Sequence, residues 1–225
     1  MKENSKPLLY TGPAVPENAD ADAVFRNLQL EDQRPRVLLH ACCGPCATSC
    51  VERLADDYSV TVFYYNPNIM DAEEYFLRRD NLIRFLDAFN SDRKKHIAYL
   101  EGAYEPDLFI RRAEALRDEP EGGRRCSICF EMRLAETARM AARLEMDYFT
   151  TTMTVSPHKN YEAITACGLS LAEGIRPDYL AIDFKKKNGF GRSVELSKQY
   201  GLYRQRFCGC EYSRYHDQNS REKNR

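Results

Sequence analysis

The chain has 225 residues and a formal net charge of −1, with 33 Lys and Arg against 34 Asp and Glu. The length suits one domain with a sizeable core, and the balanced charge excludes the whole-protein field of a strongly basic nucleic-acid binder. No segment approaches the ~18 apolar residues of a membrane span. Residues 1–6 are not followed by the apolar run of a signal peptide, so we expect a cytoplasmic protein with no membrane partner.

Strand and helix patterns alternate along the middle of the chain. Short apolar or β-branched runs predict strands, and amphipathic runs predict helices. The predicted strands are 37–40, 60–65, 96–100, 148–153 and 179–184. The predicted helices are 46–58, 71–89, 107–116, 126–144, one from Tyr161, and 192–199. This alternation predicts an α/β fold, a single domain with a mainly parallel sheet and helices on both faces.

The two ends of the chain differ in composition from its middle. Residues 1–33 are rich in Pro, Asn, Asp and Ala, which predicts a partly irregular N-terminal extension. Residues 213–225 are almost all polar, which predicts a C-terminal tail. Residues 34–212 remain as the α/β catalytic domain.

Polar and thiol groups follow several of the predicted strands. Cys42 and Cys43 come directly after the first strand, and residues 66–68, 150–152 and 183–187 follow later ones. In open α/β sheets, ligands bind beyond the carboxyl ends of the strands. The first cysteine group lies at the N-terminus of the helix that follows, whose partial positive charge stabilises thiolates. We therefore expect a metal site at this edge of the sheet.

Eight of the nine cysteines fall into three tight groups. Spacings of one to four positions can bring several sulfurs into one coordination sphere or one disulfide. In a reducing compartment, such cysteines are more often metal ligands or catalytic thiols than structural bridges. The groups are HACCGPC at 40–46 with Cys50 just beyond it, Cys126 with Cys129, and Cys208 with Cys210.

Two chemistries are suggested by single groups. The CGPC sequence at 43–46 is that of a thioredoxin active site, and it lies between a strand and a helix, but the chain is longer than a thioredoxin and contains no Trp. Structural zinc would need Cys126, Cys129 and two further thiolates, although this CxxC opens a long helix in a domain with its own core. The thioredoxin chemistry also leaves Cys42 and the other two groups unexplained.

An iron–sulfur cluster is the third chemistry. It needs four thiolates that converge from two or more segments. Two segments supply four of them, Cys42, Cys43, Cys126 and Cys129. Cys208 and Cys210 are then a spare pair, whose tight disulfide would be easily reduced. Cys46 is a candidate ligand of one additional iron, and His40 is either a structural histidine or a catalyst.

Seven stretches, in order across the core, fit one family pattern. They are HACCGPC at 40–46, YYNPNI at 64–69, EYFLRR at 74–79, EGGRRCSICFEMRL at 121–134, TTTMTVSPHKNYEAI at 150–164, DFKKKNGFGRS at 183–193 and YRQRFCGC at 203–210. Together they resemble the epoxyqueuosine reductases of the QueH type. The resemblance implies that the protein reduces epoxyqueuosine to queuosine in tRNA, the last step of queuosine biosynthesis, without cobalamin.

The resemblance also implies roles for the cysteines. Cys42, Cys43, Cys126 and Cys129 fall on the ligands of the family's [4Fe–4S] cluster. Cys208 and Cys210 fall on its redox-active disulfide. An electron donor is required, and the sequence does not identify it. The alternatives are a thioredoxin-like thiol–disulfide oxidoreductase and a zinc-binding nucleic-acid protein.

The implied partner is a tRNA that carries epoxyqueuosine in its anticodon loop. Local basic patches can bind phosphates even when the net charge is near zero. The candidate phosphate contacts are Arg124, Arg125, Lys185, Lys186, Lys187, Arg192, Arg204 and Arg206. Splayed loop bases stack on aromatic rings. The candidate rings are Tyr64, Tyr65, Phe184 and Phe190.

Overall fold

The computed structural model describes residues 9–10, 33–174 and 176–213. The strands are β1 (Leu9–Tyr10), β2 (Arg36–His40), β3 (Ser59–Tyr64), β4 (Ala98–Glu101), β5 (Tyr148–Thr151) and β6 (Asp178–Tyr179). The helices are α1 (Gly44–Leu54), α2 (Ala72–Arg93), α3 (Pro106–Ala113), α4 (Arg124–Arg143), α5 (Tyr161–Ala172) and α6 (Gly189–Gln199). Short 3₁₀ helices occupy Glu114–Leu116 and Thr152–Val155.

The strands form one sheet in the order β1-β4-β3-β2-β5-β6. Five consecutive neighbours, from β4 to β6, pair in parallel, and β1 pairs antiparallel with β4 at the edge. In the centre, Val37 of β2 lies opposite Val60 of β3, and Leu38 lies opposite Phe149 of β5. The central strand β2 therefore ends in the middle of the carboxyl edge, directly before the first cysteine group.

Alternate side chains of β2 supply the cores on the two faces of the sheet. Val37 and Leu39 pack into a cluster with residues of α1 and α2. Leu38 packs into a second cluster with residues of α4 and α5. This follows from the two-residue period of a strand that is buried on both sides. The predicted single α/β domain, with helices on both faces, is confirmed.

Two predicted strands are shorter in the structure. The strand predicted over 148–153 ends at Thr151, whose side chain accepts a hydrogen bond from the backbone N of Met153 and starts a 3₁₀ helix. The strand predicted over 179–184 is wrong beyond Tyr179. Although β5 continues to Thr151 and the N of Leu180 still donates to the carbonyl of Phe149, the N of Ile182 turns back to the carbonyl of Leu180. The hydroxyls of Thr150 and Thr154 donate to the carbonyls of Leu180 and Ile182, so side-chain contacts replace the strand ladder there.

The predicted domain boundaries are not tested by the structure. Most of the predicted extension over 1–33 lies outside the described residues, but residues 9–10 form β1. Residues 214–225 of the predicted tail also lie outside them. Within the described part of the chain, no helix combines the length and the apolar character needed to cross a membrane.

Candidate active site

The first cysteine group lies where β2 meets α1. Cys43 is the N-cap residue of α1, and Cys46 lies in its first turn. The sulfurs of Cys42 and Cys43 are 3.8 Å apart. Together with the Cys46 sulfur, all three lie within 4.8 Å of one another. We call these three residues the cysteine triad. It is the one group of three ligating atoms so close together among the described residues, and it could hold a metal ion.

The three thiols of the triad differ in pKa. The pKa of Cys42 is lowered well below its usual value, chiefly because Cys43 and Cys46 donate hydrogen bonds to its sulfur. Burial and the neighbouring Cys42 raise the pKa of Cys43 to about 12. The hydrogen bonds to Cys42 and Cys43 raise the pKa of Cys46. Cys42 is therefore the cysteine of this group that most readily becomes a thiolate, the form that binds soft metals.

Side chains at the carboxyl edge hold the triad in place. The Thr152 hydroxyl donates to the Cys42 sulfur at 3.6 Å and accepts from the Cys42 backbone N at 3.3 Å. Asn66 donates from Nδ2 to the carbonyl of Ala41 at 2.9 Å. The predicted placement of the segments at 66–68 and 150–152 along the same edge of the sheet as the first cysteine group is therefore confirmed.

The other two cysteine groups line one cleft beside the triad. Cys126 and Cys129 lie in the first turns of α4, and Cys208 and Cys210 lie on the segment that follows α6. The backbone N of Gly122 donates to the Cys126 sulfur at 3.2 Å. We call the space that these four cysteines line the thiol cleft. Burial raises the pKa of Cys129 to about 12, and it also raises those of Cys126 and Cys210.

Two cations, Arg133 and Lys159, lie near both the cysteine triad and the thiol cleft. Arg133 is 1% exposed, and its Nε donates to the carbonyl of Cys129 at 3.2 Å. Its Nη2 is buried without a hydrogen-bond partner. Lys159 lines the thiol cleft with it. Both cations interact electrostatically with Cys42 of the triad and with Cys208 of the cleft. The triad and the thiol cleft therefore share one positive field, which stabilises thiolates.

Sequence reasoning missed several residues of this site. Gln205 donates from Nε2 to the Cys43 sulfur at 2.8 Å. Arg133 and Lys159 lie in matched stretches of the family pattern, at 121–134 and 150–164, and Gln205 lies in the stretch at 203–210. They could have been identified as polar residues that lie within the sequence motifs of the site.

His40 is a structural residue of this edge. It is fully buried, and its Nε2 lies 3.0 Å from the carbonyl of Tyr65. A carbonyl only accepts, so Nε2 carries the proton and Nδ1 accepts from the Thr151 hydroxyl at 2.9 Å. Both ring nitrogens are therefore engaged within the protein, which favours the structural interpretation over a catalytic one.

Some of the basic residues predicted to contact tRNA phosphates are exposed, and others already bind groups of the protein. Arg124, Lys186 and Lys187 are exposed. Arg125 is 1% exposed and donates from Nη1 to the carbonyls of residues 116, 117 and 119. Arg192 pairs with Glu52 and Glu195, at 2.8 and 3.0 Å. Arg125 and Arg192 therefore already have partners within the protein.

The predicted stacking rings are mostly buried. Tyr64, Tyr65 and Phe184 are at most 4% exposed, so the prediction that they stack on bases is wrong. They pack in the sheet cores, where the strand pattern that identified them also places them. Phe190 is 40% exposed and has the Arg204 guanidinium over its ring at 5.8 Å. Phe190 remains the available ring.

Proteins of one known family resemble this chain over most of its length. Residues 37–216 match the family model described as "Epoxyqueuosine reductase QueH". The chain belongs to the QueH family. A relative from Streptococcus pyogenes serotype M1 named epoxyqueuosine reductase QueH is 41% identical over 183 residues, 81% of this chain and 72% of that protein.

Two further QueH proteins show how the similarity extends. One from Staphylococcus aureus is 38% identical over 198 residues, which cover 85% of this chain and 82% of the relative. One from Thermotoga maritima is 31% identical over 180 residues, 79% of this chain and 89% of the relative. The matched QueH region contains the triad, the thiol cleft and both cations. The names of these relatives indicate oxidoreductases of queuosine biosynthesis.

Proposed function

We propose that this protein reduces epoxyqueuosine in tRNA to queuosine. The observation that carries the proposal is the QueH match over 37–216, which spans a thiol-rich site at the carboxyl edge of the sheet. The reaction converts an epoxide into an alkene and releases its oxygen as water. It consumes two electrons and two protons. The site therefore has to store electrons and deliver protons, and thiols can do both.

The donor set fits an iron–sulfur cofactor. It offers thiols, one of them with a lowered pKa, beside two cations that can balance a cluster's negative charge. The unpartnered Arg133 Nη2 is a donor that a sulfide or thiolate would satisfy. A bound cluster supplies electrons one at a time. We propose as its [4Fe–4S] ligands Cys42, Cys43, Cys126 and Cys129. Cys46 would ligate one additional iron, and no cobalamin is required.

Cys208 and Cys210 are the proposed two-electron store. As their thiols close a disulfide, they give up two electrons and two protons, the amounts that removal of the epoxide oxygen consumes. Both cysteines are free thiols in the structure, which is the reduced form of this pair. An external electron donor then reopens the disulfide. Lys159 and Arg133 interact electrostatically with the Cys208 sulfur of this pair.

The proposed tRNA surface lies around the mouth of the thiol cleft. Arg124 opens α4 two residues before Cys126 and is exposed. Lys185 donates from Nζ to the carbonyl of Lys159, which connects the lysine segment at 185–187 to the cleft. These cations would contact backbone phosphates, and Phe190 would stack on a loop base.

The test is an assay under anaerobic conditions with tRNA that carries epoxyqueuosine. Mass spectrometry of the digested nucleosides should show loss of one oxygen atom, and the purified protein should contain iron and sulfide. The Cys126→Ala and Cys129→Ala variants should lose both elements and the activity. Cys167→Ala is the matched control, since Cys167 packs against the core between the sheet, α4 and α5, and should keep them.

Two results would contradict the proposal at different points. An iron-loaded, folded protein that leaves epoxyqueuosine unchanged with a strong reductant present would refute the activity. Cys126→Ala and Cys129→Ala variants with full iron and sulfide would refute the ligand assignment and leave the activity standing.

A further inference from the structure

One face of α2 binds the segment that carries Cys208. Glu74, Arg78, Asn81 and Arg84 are spaced four, three and three residues apart, so they share a face of the helix. Each of them contacts the chain between residues 201 and 208. The contacts are polar along the whole length. The stretch EYFLRR at 74–79 belongs to the family pattern, yet the proposed reaction gives it no role.

The C-terminal part of this face, at Asn81 and Arg84, binds the start of the segment by hydrogen bonds. Arg84 donates from Nη2 to the carbonyl of Gly201 at 2.8 Å. Asn81 donates from Nδ2 to the carbonyl of Tyr203 at 3.1 Å, and its Oδ1 accepts from the Tyr203 N at 3.0 Å. The Tyr203 hydroxyl reaches the Glu74 carboxylate at 3.2 Å. These contacts end five residues before Cys208.

The N-terminal part of the face, at Arg78, binds the backbone at the cysteine pair itself. Arg78 is 2% exposed and donates from Nη1 to the carbonyl of Cys208 at 3.1 Å and from Nη2 to that of Phe207 at 3.2 Å. Its guanidinium lies 5.0 Å from the centre of the Phe207 ring. Glu74 accepts a hydrogen bond from the Arg78 Nε at 2.7 Å and so orients the guanidinium group, whose two Nη atoms form a fork. Two consecutive carbonyls are thereby held by one rigid planar group.

Gly209 fits closely between this fork and the loop after β3. Its φ of +110° lies in the region that favours glycine. A Cβ there would lie 2.8 Å from Cγ1 of Ile69 and 3.1 Å from Nη1 of Arg78. The backbone between Cys208 and Cys210 is therefore confined on both sides, and Arg78 forms one of them.

We propose that Arg78, oriented by Glu74, is a positioning residue that holds Cys208 and Cys210 in the dithiol arrangement. The inference rests on the proposed redox role of this pair. The disulfide takes up two electrons and two protons, with dithiothreitol as the reductant in the test, and becomes two thiols. By holding the Phe207 and Cys208 carbonyls, Arg78 favours the thiol side of that equilibrium. Its charge also interacts favourably with the Cys208 and Cys43 sulfurs.

The substitution that tests this is Arg78→Lys. Lysine keeps the charge and the pairing with Glu74, but a single ammonium cannot span two carbonyls as the guanidinium does. Iron-loaded protein is equilibrated without oxygen in mixtures of reduced and oxidised dithiothreitol, quenched, alkylated and analysed by mass spectrometry. The ratio of reduced to oxidised reagent that opens half of the disulfide should rise about tenfold, which corresponds to about 30 mV for a two-electron couple.

Two further variants distinguish the contacts at the cysteine pair from those at the start of the segment. Glu74→Gln removes the carboxylate that orients the fork but keeps both carbonyl contacts, so it should give a smaller shift in the same direction. Arg84→Lys is the matched control, because Arg84 holds the same segment at Gly201. It should keep the wild-type midpoint. Thermal unfolding of each variant shows whether the protein is folded in the titration.

The outcomes distinguish the positioning role from the redox role. A wild-type disulfide that forms, with the same midpoint in Arg78→Lys as in wild type, would overturn the positioning role and leave the redox pair intact. Equal shifts in Arg78→Lys and Arg84→Lys would also overturn it, since that would mean general loosening of the segment. A wild-type protein that never forms the disulfide, yet makes queuosine, would refute the redox pair and the positioning role together.

Discussion

The amide of Gln205 donates a hydrogen bond to the sulfur of Cys43 across 2.8 Å, although 162 residues separate them in the chain. Cys43 is fully buried, and the segment that contains Gln205 forms part of its cover. The same segment continues to Cys208 three residues later. One hydrogen bond therefore joins the triad to the segment that leads to the last cysteine pair.

Replacing Gln205 should expose the triad. In metal-free protein, Gln205→Ala should let iodoacetamide react with Cys43 severalfold faster than in wild type, because the variant removes part of the cover of the sulfur. Peptide mass spectrometry over time gives the rate. Gln199→Ala, at the exposed end of α6, should react like wild type. Equal rates in all three proteins would show that Gln205 does not protect the triad.

The buried His40 should make folding stability depend on pH. Burial, assisted by the Arg133 charge, lowers the pKa of His40 from 6.5 to about 3. The unfolded chain takes up a proton near pH 6.5, whereas the folded protein does so only near pH 3. The free energy of unfolding should therefore fall as the pH drops from 6.5 toward 3, by up to about 1.4 kcal/mol per pH unit. Above pH 6.5 this group should contribute no dependence.

Urea unfolding at pH about 7.5 and about 5.5 measures this dependence. The variant His40→Asn keeps a donor and an acceptor but has no titrating ring, so its loss of stability over this range should be smaller than that of wild type. If the two proteins lost the same free energy of unfolding, the protonation of His40 would not be the cause.

The lysine segment at 185–187 should bind the anticodon stem-loop. Changing all three lysines to Glu should weaken tRNA binding and reduce the salt slope by about one for each phosphate that is no longer neutralised. Iron content should stay at the wild-type level, since none of these residues is a soft ligand. Changing Lys94 and Lys95, at the C-terminal end of α2, to Glu is the control. An affinity and salt slope that match this control would show that the segment is only solvated.

The sequence predicts the elements of this fold well where burial decides them. The run at 37–40 is apolar on both faces because β2 lies in the centre of the sheet, and the structure confirms it as Arg36–His40. The run at 179–184 has a similar composition, but beyond Tyr179 its carbonyls at Leu180 and Ile182 accept from the hydroxyls of Thr150 and Thr154. No local pattern in the run carries that information, because these donors lie about 30 residues earlier in the chain.

The sequence locates the cysteines of the site but not the cations between them. Arg133 and Lys159 look like ordinary charged residues of a helix and a loop. Their placement beside buried thiols arises from how α4 and the loop before α5 pack at the carboxyl edge. Tyr64 shows the opposite case, since its aromatic ring suggests a binding surface and the same strand pattern buries it in the core.

Cys208 and Cys210 should supply the two electrons that reduce the epoxide. One equivalent of tRNA carrying epoxyqueuosine is mixed with fully reduced protein, without further reductant, and the reaction is quenched by alkylation. Peptide mass spectrometry should show one Cys208–Cys210 disulfide for each queuosine formed, and Cys208→Ser should retain its iron but form no product. Formation of queuosine while both thiols remain free would contradict the account.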